Sequence, residues 1–274
     1  MIRAMPERHA ARRAVVVGGS RGIGAATSLR LAREGWQVVV LSRDEEVGGR
    51  LVRRAADVGC RGVEWRFGDV TDAGQMDSAF DRLREEGGVS ACVVTAGRNL
   101  SAPLLRRTPT GWQRHDPEAW RELVDLNLTG TFNAARSAAP LLAEAGDSTL
   151  VLLSSCSRHG SAGQGAYSAT KAAISSLART WAFELGRLGI RVLAVAPGVV
   201  DGEALARRFT AEPMYRRYMQ DLADHQALPG FVPEEEVASA VAFALESTSM
   251  TGTTLEIDAG GFPARLVRSS VRGR

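Results

Sequence analysis

Lysine is nearly missing from this chain of 274 residues: of its 34 basic positions, only Lys171 is not arginine. Cysteine is almost as scarce, and Cys60, Cys92 and Cys156 show neither a Cys-x-x-Cys nor a Cys/His ligand spacing. An odd, unclustered set excludes a disulfide framework and predicts reduced, mostly buried thiols in a cytoplasmic protein. The four histidines have no metal spacing either, so no metal is expected, and His115, His159 and His225 are assigned to the surface or a lid. No apolar run approaches the roughly 18 residues of a membrane span. Residues 1–13 are basic but have no apolar stretch, so no secretory signal is expected there. A net charge of +3 with scattered arginines gives no basic stripe, which argues against a nucleic-acid partner.

Apolar, β-branched runs alternate along the chain with helically spaced segments. The runs are Ala14–Gly18, Gln37–Ser42, Val63–Phe67, Ser90–Thr95, Thr149–Ser154, Ile190–Ala196 and Thr253–Ile257. Between them lie Gly22–Glu34, Glu45–Val58, Gln75–Glu86, Pro117–Ala143, Tyr167–Arg187 and Pro233–Glu246. Continuous rather than alternating hydrophobicity in the runs predicts strands buried on both faces, and so an α/β fold: a doubly wound parallel sheet of about seven strands between helices. No linker or internal repeat divides the pattern, which predicts one domain with a flexible tail at 263–274.

The first run leads directly into Gly18-Gly19-Ser20-Arg21-Gly22-Ile23-Gly24 and then a helix. Glycines at 18, 22 and 24 allow a tight turn and close backbone approach to a pyrophosphate, which the helix N-terminus favours through its free N–H groups and dipole. Strand before and helix after are the context this mechanism needs.

The lone lysine stands four residues after a tyrosine, in Tyr167-Ser168-Ala169-Thr170-Lys171. Arginine would match its charge and helix propensity, so the exception marks a position suited to a compact ammonium on a flexible stem. The i, i+4 spacing stacks both side chains on one helical face, where an ammonium favours the ionised phenol and proton exchange near neutral pH. On these five residues alone, an exposed helical lysine fits equally well.

Taken with the glycine loop, Tyr-x-x-x-Lys makes the chain resemble the short-chain dehydrogenase/reductase family, from about Ala14 to Phe262. Further matches follow in family order: Asp69-Val70, Ala96-Gly97, Asn127, Ser154-Ser155 and Pro197-Gly198. The resemblance implies a Rossmann-type fold and hydride transfer between a nicotinamide cofactor and a carbonyl or alcohol. It implies Tyr167 as proton donor, Lys171 as the group that lowers its pKa and holds the nicotinamide ribose, Ser155 positioning the carbonyl and Asn127 anchoring a relay water. The cofactor would contact Gly18, Ser20, Arg21, Gly22, Ile23, Gly24, Ser42, Arg43, Asp69, Val70, Ala96, Gly97, Tyr167, Lys171, Pro197, Gly198 and Val200. Three departures stand out. Val94-Thr95-Ala96-Gly97 lacks the usual Asn, no Thr follows Pro197-Gly198, and Ser154 rather than Ser155 has the usual spacing to Tyr167. Ser155 is preferred and Ser154 stays open. Cys156 reads as a buried filler, since no base is placed to form its thiolate.

A carboxylate at the end of the second strand would accept the ribose hydroxyls of NAD. Ser42 stands there instead, with Arg43 next to it and Arg21 in the glycine loop, a set suited to the 2′-phosphate of NADP(H). Two insertions are expected to form the substrate pocket, one near 98–115 with Leu104, Leu105 and Trp112, the other near 201–232 with Phe209, Met214, Tyr215, Tyr218 and Met219. Small residues such as Ala134, Ala135, Ala138, Ala172, Ala173 and Ala178 on two long helices would allow close helix pairing in a homotetramer or homodimer, as in the family. The reading is an NADPH-dependent ketoreductase of a small-molecule carbonyl. A 3-oxoacyl-thioester reductase and a non-catalytic NADP-binding sensor or scaffold are its alternatives.

Overall fold

The computed structural model describes residues 12–261 except 212 and 225. The tail expected at 263–274 and the side chains of Met214, Tyr218 and His225 lie outside the described residues.

Strand β1 (Arg13–Val17) leads into helix α1 (Gly22–Arg33), followed by β2 (Gln37–Ser42), α2 (Glu45–Asp57), β3 (Val63–Phe67), α3 (Ala73–Glu85) and β4 (Ala91–Val94). A hairpin, β5 (Leu105–Thr108) and β6 (Gly111–Arg114), precedes α4 (Pro117–Val124), a π turn over Asp125–Thr129 and α5 (Gly130–Ala145). The chain continues through β7 (Ser148–Leu153), α6 (Gly165–Leu185), β8 (Ile190–Pro197), β9 (Val200–Asp201), α7 (Glu203–Ala211), α8 (Pro213–Asp224), β10 (Val232–Pro233), α9 (Glu234–Glu246) and β11 (Thr254–Ile257).

Seven strands form one parallel sheet in the order β11-β8-β7-β4-β1-β2-β3. Successive residues of the central strands feed opposite faces. Val16, Val38 and Val40 pack into one core layer with Leu29 of α1 and Val241 of α9. Val15, Val17, Val39 and Leu41 pack into the other with Phe80 of α3, Leu142 of α5 and Ile174 of α6. The chain winds outward from β1 through β2 to β3, then crosses to β4 on the far side of β1. This reversal opens a crevice at the carboxyl ends of β1 and β4, where such sheets bind ligands.

Local signals fix the helix starts around that crevice. The side chains of Asp44, Asp72 and Asp116 accept from the N–H groups of Val47, Gln75 and Glu118 at the heads of α2, α3 and α4. Caps of this kind contribute about 1 kcal/mol each.

The fold departs from the sequence reading in three places. The segment expected as one helix over Pro117–Ala143 is interrupted by the π turn, an insertion typical of functional sites. The two insertions have regular structure of their own, the first a hairpin and the second the pair α7 and α8. Four of the six helix-pairing alanines also face the wrong way for their assigned purpose: Ala134, Ala135, Ala138 and Ala178 are buried in the protein's own core, whereas Ala172 is exposed and Ala173 half-buried on α6. What α5 and α6 leave exposed includes Phe132 and Phe183, the latter with 76% of its surface accessible.

Candidate active site

The crevice is a cleft of about 1360 Å³, and every catalytic and cofactor residue singled out from sequence lines it except Asn127. Its glycine loop has no room for side chains. Gly18 adopts a φ of +81°, and a Cβ there would lie 2.5 Å from the Ala96 nitrogen. A Cβ on Gly24 would overlap the Gly18 carbonyl oxygen and come within 2.7 Å of Thr95 Oγ1. No side chain caps the head of α1, so its first N–H groups are open to an anion lying against the loop. These features fit the pyrophosphate of a dinucleotide.

Thr95 supplies what the missing Asn would have. Its backbone N–H donates to the Val17 carbonyl at 2.8 Å and its hydroxyl to the same oxygen at 3.0 Å, tying β4 to β1 at the mouth of the crevice. Beyond β8, a Cβ on Gly198 would meet the Asp258 backbone at 2.8 Å, so this glycine serves close packing against the end of β11.

At the adenosine end, Arg21 and Arg43 both line the cleft, and each already holds a carboxylate. Arg21 pairs with Asp44, and Arg43 with Asp69 at 3.3 Å. Ser42 Oγ accepts a hydrogen bond from the Trp65 indole at 2.8 Å. Burial would raise the Asp69 carboxyl, but two hydrogen bonds from Thr71 and the Arg43 charge hold it below the usual range. Asp72, not Asp69, caps α3.

At the other end, α6 presents Tyr167 and Lys171 toward the end of β7. Ser155 Oγ faces the Tyr167 phenol and accepts the Ser157 N–H at 3.2 Å. Ser154 Oγ points away, donating to the Lys171 carbonyl and lying 2.8 Å from Ser175 Oγ. Of the two serines left open by sequence, Ser155 is therefore the one whose hydroxyl meets the tyrosine. Lys171 is buried, and its Nζ donates to the Leu153 carbonyl at 2.6 Å while standing 5.6 Å from the Tyr167 ring centre.

Burial pushes the Tyr167 phenol up to about 12, against the smaller opposing effect of the Ser155 hydroxyl. Burial also lowers the Lys171 ammonium to about 8. The lowering of the phenol by Lys171 expected from sequence is thus not what this arrangement gives, because desolvation dominates both groups and the ammonium is turned to a backbone carbonyl. Cys156 borders the same cleft with its thiol pushed up by burial, which suits a filler.

Asn127 sits fully buried in the π turn, behind Gly97. Its Oδ1 accepts the Arg98 N–H and its Nδ2 donates to the Arg98 carbonyl, both at 2.9 Å. Its own carbonyl accepts the Thr131 hydroxyl at 2.6 Å. The side chain thus fixes the loop after β4 as a peptide group would.

On the substrate side, the second insertion contributes Leu205, Arg207, Tyr215 and Met219 to the cleft, whereas the first contributes only Arg98 and Asn99. The β5–β6 hairpin pairs with itself and projects outward, leaving Leu104 85% and Trp112 63% exposed. His159 also reaches the cleft, 3.7 Å from Glu256, while His115 lies half-buried at the base of the hairpin. Sequence reasoning missed Thr95, Asp44 and Glu234, a half-buried carboxylate of α9 that borders the glycine loop. Only Asp44 had a local signal, its place just before a helix. Among the described residues no cluster could hold a metal ion, and no helix is long and apolar enough to cross a membrane.

A family model described as Enoyl-(Acyl carrier protein) reductase matches residues 17–261. Short-chain reductase protein NovJ of Streptomyces niveus is 33% identical over 260 residues, covering 90% of this chain and 92% of that protein. Cis-4-hydroxycyclohexanecarboxylate dehydrogenase of Sinomonas cyclohexanicum is 33% identical over 263 residues, covering 95% and 100%. A solved actinorhodin polyketide ketoreductase with NADPH superposes with a TM-score of 0.80 at 25% identity, covering 91% of this chain and 97% of that one. With the cleft, its glycine loop and a match of this extent, the chain belongs to the short-chain dehydrogenase/reductase family and is an oxidoreductase.

Proposed function

We propose that the protein is an NADPH-dependent ketoreductase acting on a small-molecule carbonyl, with Tyr167, Ser155 and Lys171 as catalytic residues and Asn127 as a positioning residue. The observation that carries this reading is that Tyr167, Ser155 and Lys171 line one cleft, with the Ser155 hydroxyl facing the Tyr167 phenol, beside a glycine loop shaped for a dinucleotide. Bound NADPH supplies the hydride. Ser155 holds the carbonyl oxygen, and Tyr167, protonated up to about pH 12, donates its proton to the forming alkoxide. Lys171, its Nζ 5.6 Å from the Tyr167 ring centre, would hold the ribose of the bound cofactor. Asn127 keeps the Arg98 backbone, and with it Gly97, close to the cofactor site.

Arg21 and Arg43 support NADPH over NADH, because both would meet a 2′-phosphate and no carboxylate occupies the Ser42 position. A superposable ketoreductase solved with NADPH supports the same choice. The exposed Phe132 and Phe183 on α5 and α6 support a homotetramer, which light scattering at micromolar concentration tests. A panel of ketones followed by NADPH absorbance tests the activity itself, and a chain that binds NADPH yet turns over none of them points to a sensor instead. A carrier-bound thioester is the second reading. It is favoured by the exposed hairpin that follows cleft-lining Arg98 and Asn99, where Arg106, Arg107 and Arg114 stand in a stretch from 98 to 115 without an acidic residue.

A further inference from the structure

Three acidic residues open α9, and a helix N-terminus suits them. Glu235 and Glu236 are exposed, whereas Glu234 turns into the cleft and is half-buried. Its Oε1 lies 3.4 Å from where a Cβ on Gly22 would stand, at the head of α1. The same oxygen overlaps the place of a Cβ on Gly202, just past β9. The carboxylate is therefore wedged between the glycine loop and the segment that follows β8, and both of these glycines border the cleft. Helix α9 is held along α1 by the hydrogen bond from Arg30 to Ser239 at 2.7 Å, so the position of Glu234 is built into the fold.

The charges facing Glu234 do not neutralise it. Glu235 on its own helix, Asp201 of β9 and Glu203 of α7 oppose its ionisation, and Arg54 of α2 is the cation that favours it. Arg21, at the head of α1, is turned to Asp44 instead. Burial and these acids hold the Glu234 carboxyl above its ordinary range. A pyrophosphate at the head of α1 would add a further like charge beside it.

We propose that Glu234 is a proton-linked gate on cofactor affinity: the dinucleotide strengthens the hold of the Glu234 carboxylate on a proton, so that binding takes up solvent protons there and affinity falls as pH rises. This rests on reading the cleft as a dinucleotide site. No bond is made or broken other than the O–H on Glu234, and the proton comes from buffer.

Isothermal calorimetry with NADH, which has no titrating phosphate monoester, tests it between pH 5.5 and 8 in wild type, Glu234→Gln and Glu235→Gln. The wild-type Kd divided by the Glu234→Gln Kd should be smallest at the acid end. It should rise to about tenfold at pH 8, the affinity equivalent of raising the carboxyl by one further pH unit. Glu235→Gln, which removes one of the charges opposing Glu234, should keep the wild-type rise with its midpoint moved to lower pH. A Glu234→Gln ratio that stays flat across the range overturns the proposal. Should Glu234→Gln fail to fold, as judged by circular dichroism, the wild type alone decides: proton uptake counted in two buffers of different ionisation heat supports the proposal, and its absence overturns it. A wild type that binds neither NADH nor NADPH sinks the dinucleotide reading itself, which is a different failure.

Discussion

Replacing Lys171 by methionine should make the protein more stable at neutral pH while abolishing turnover. Burial takes the ammonium from 10.5 to about 8, a penalty of about 3 kcal/mol at about 1.4 kcal/mol per tenfold in protonation. No discount for solvent screening applies, because the side chain is buried. The sign follows from proton counting. Below pH 8 the lysine is charged in both states, and the folded state bears the full penalty. Between about 8 and 10.5 the unfolded chain holds more protons, so wild-type stability rises with pH and the penalty disappears. Methionine removes the penalty but also the hydrogen bond to the Leu153 carbonyl, a loss of about 1 kcal/mol. The variant should therefore gain about 1–2 kcal/mol at pH 7 and lose about 1 kcal/mol near pH 10.5. Urea unfolding followed by circular dichroism, at equal protomer concentration and at both pH values, measures the difference. A variant less stable than wild type at pH 7, or a difference unchanged between the two pH values, would refute the claim that this lysine is kept against a desolvation cost.

Tyr167→Phe should lower kcat by about 10²–10⁴, with the Kd for NADPH in fluorescence titration within about twofold of wild type. Ser155→Ala should lower kcat strongly with little effect on unfolding. Ser154→Ala should do the reverse, losing about 1–3 kcal/mol for its two buried hydrogen bonds while kcat stays within a few-fold; the opposite pattern would exchange the two roles. Wild type should prefer NADPH to NADH by about tenfold in kcat/KM, the lower end for a charge-assisted phosphate contact because Arg21 and Arg43 are solvated and already paired. Replacing Ser42 with Asp and Arg43 with Ile together should reverse that preference, and a ratio that survives both changes would show that these groups do not set it.

The fold was legible because its determinants are local. A strand buried on both faces needs an unbroken apolar run, and Ala14 to Val17 or Val38 to Leu41 could be read directly. Helix starts were legible for the same reason, as the side chains of Asp72 and Asp116 reach only two or three residues onward. The π turn around Asn127 was not legible. It depends on the asparagine spending its amide on the Arg98 backbone, a partner 29 residues away in sequence. The hairpin was missed because Leu105 to Arg114 buries almost nothing and so carries no hydrophobic period.

Site chemistry divides along the same line, with residue types readable and their partners not. The sequence places Arg21 and Arg43 near a phosphate, but it does not place Asp44 and Asp69 against them. Those carboxylates have two opposed effects. They hold the guanidiniums at the cleft wall, which reduces the side-chain entropy lost when a phosphate arrives. They also must be displaced or shared when it does, which weakens the attraction. Asp44 is further constrained, since its other oxygen caps α2 and it cannot swing away without loosening that helix. Arg43 is the freer of the two, held only by an exposed contact at 3.3 Å. Discrimination between the two cofactors should therefore rest more on Arg43 than on Arg21, so Arg43→Ala should erase more of the NADPH preference than Arg21→Ala in the same kcat/KM comparison.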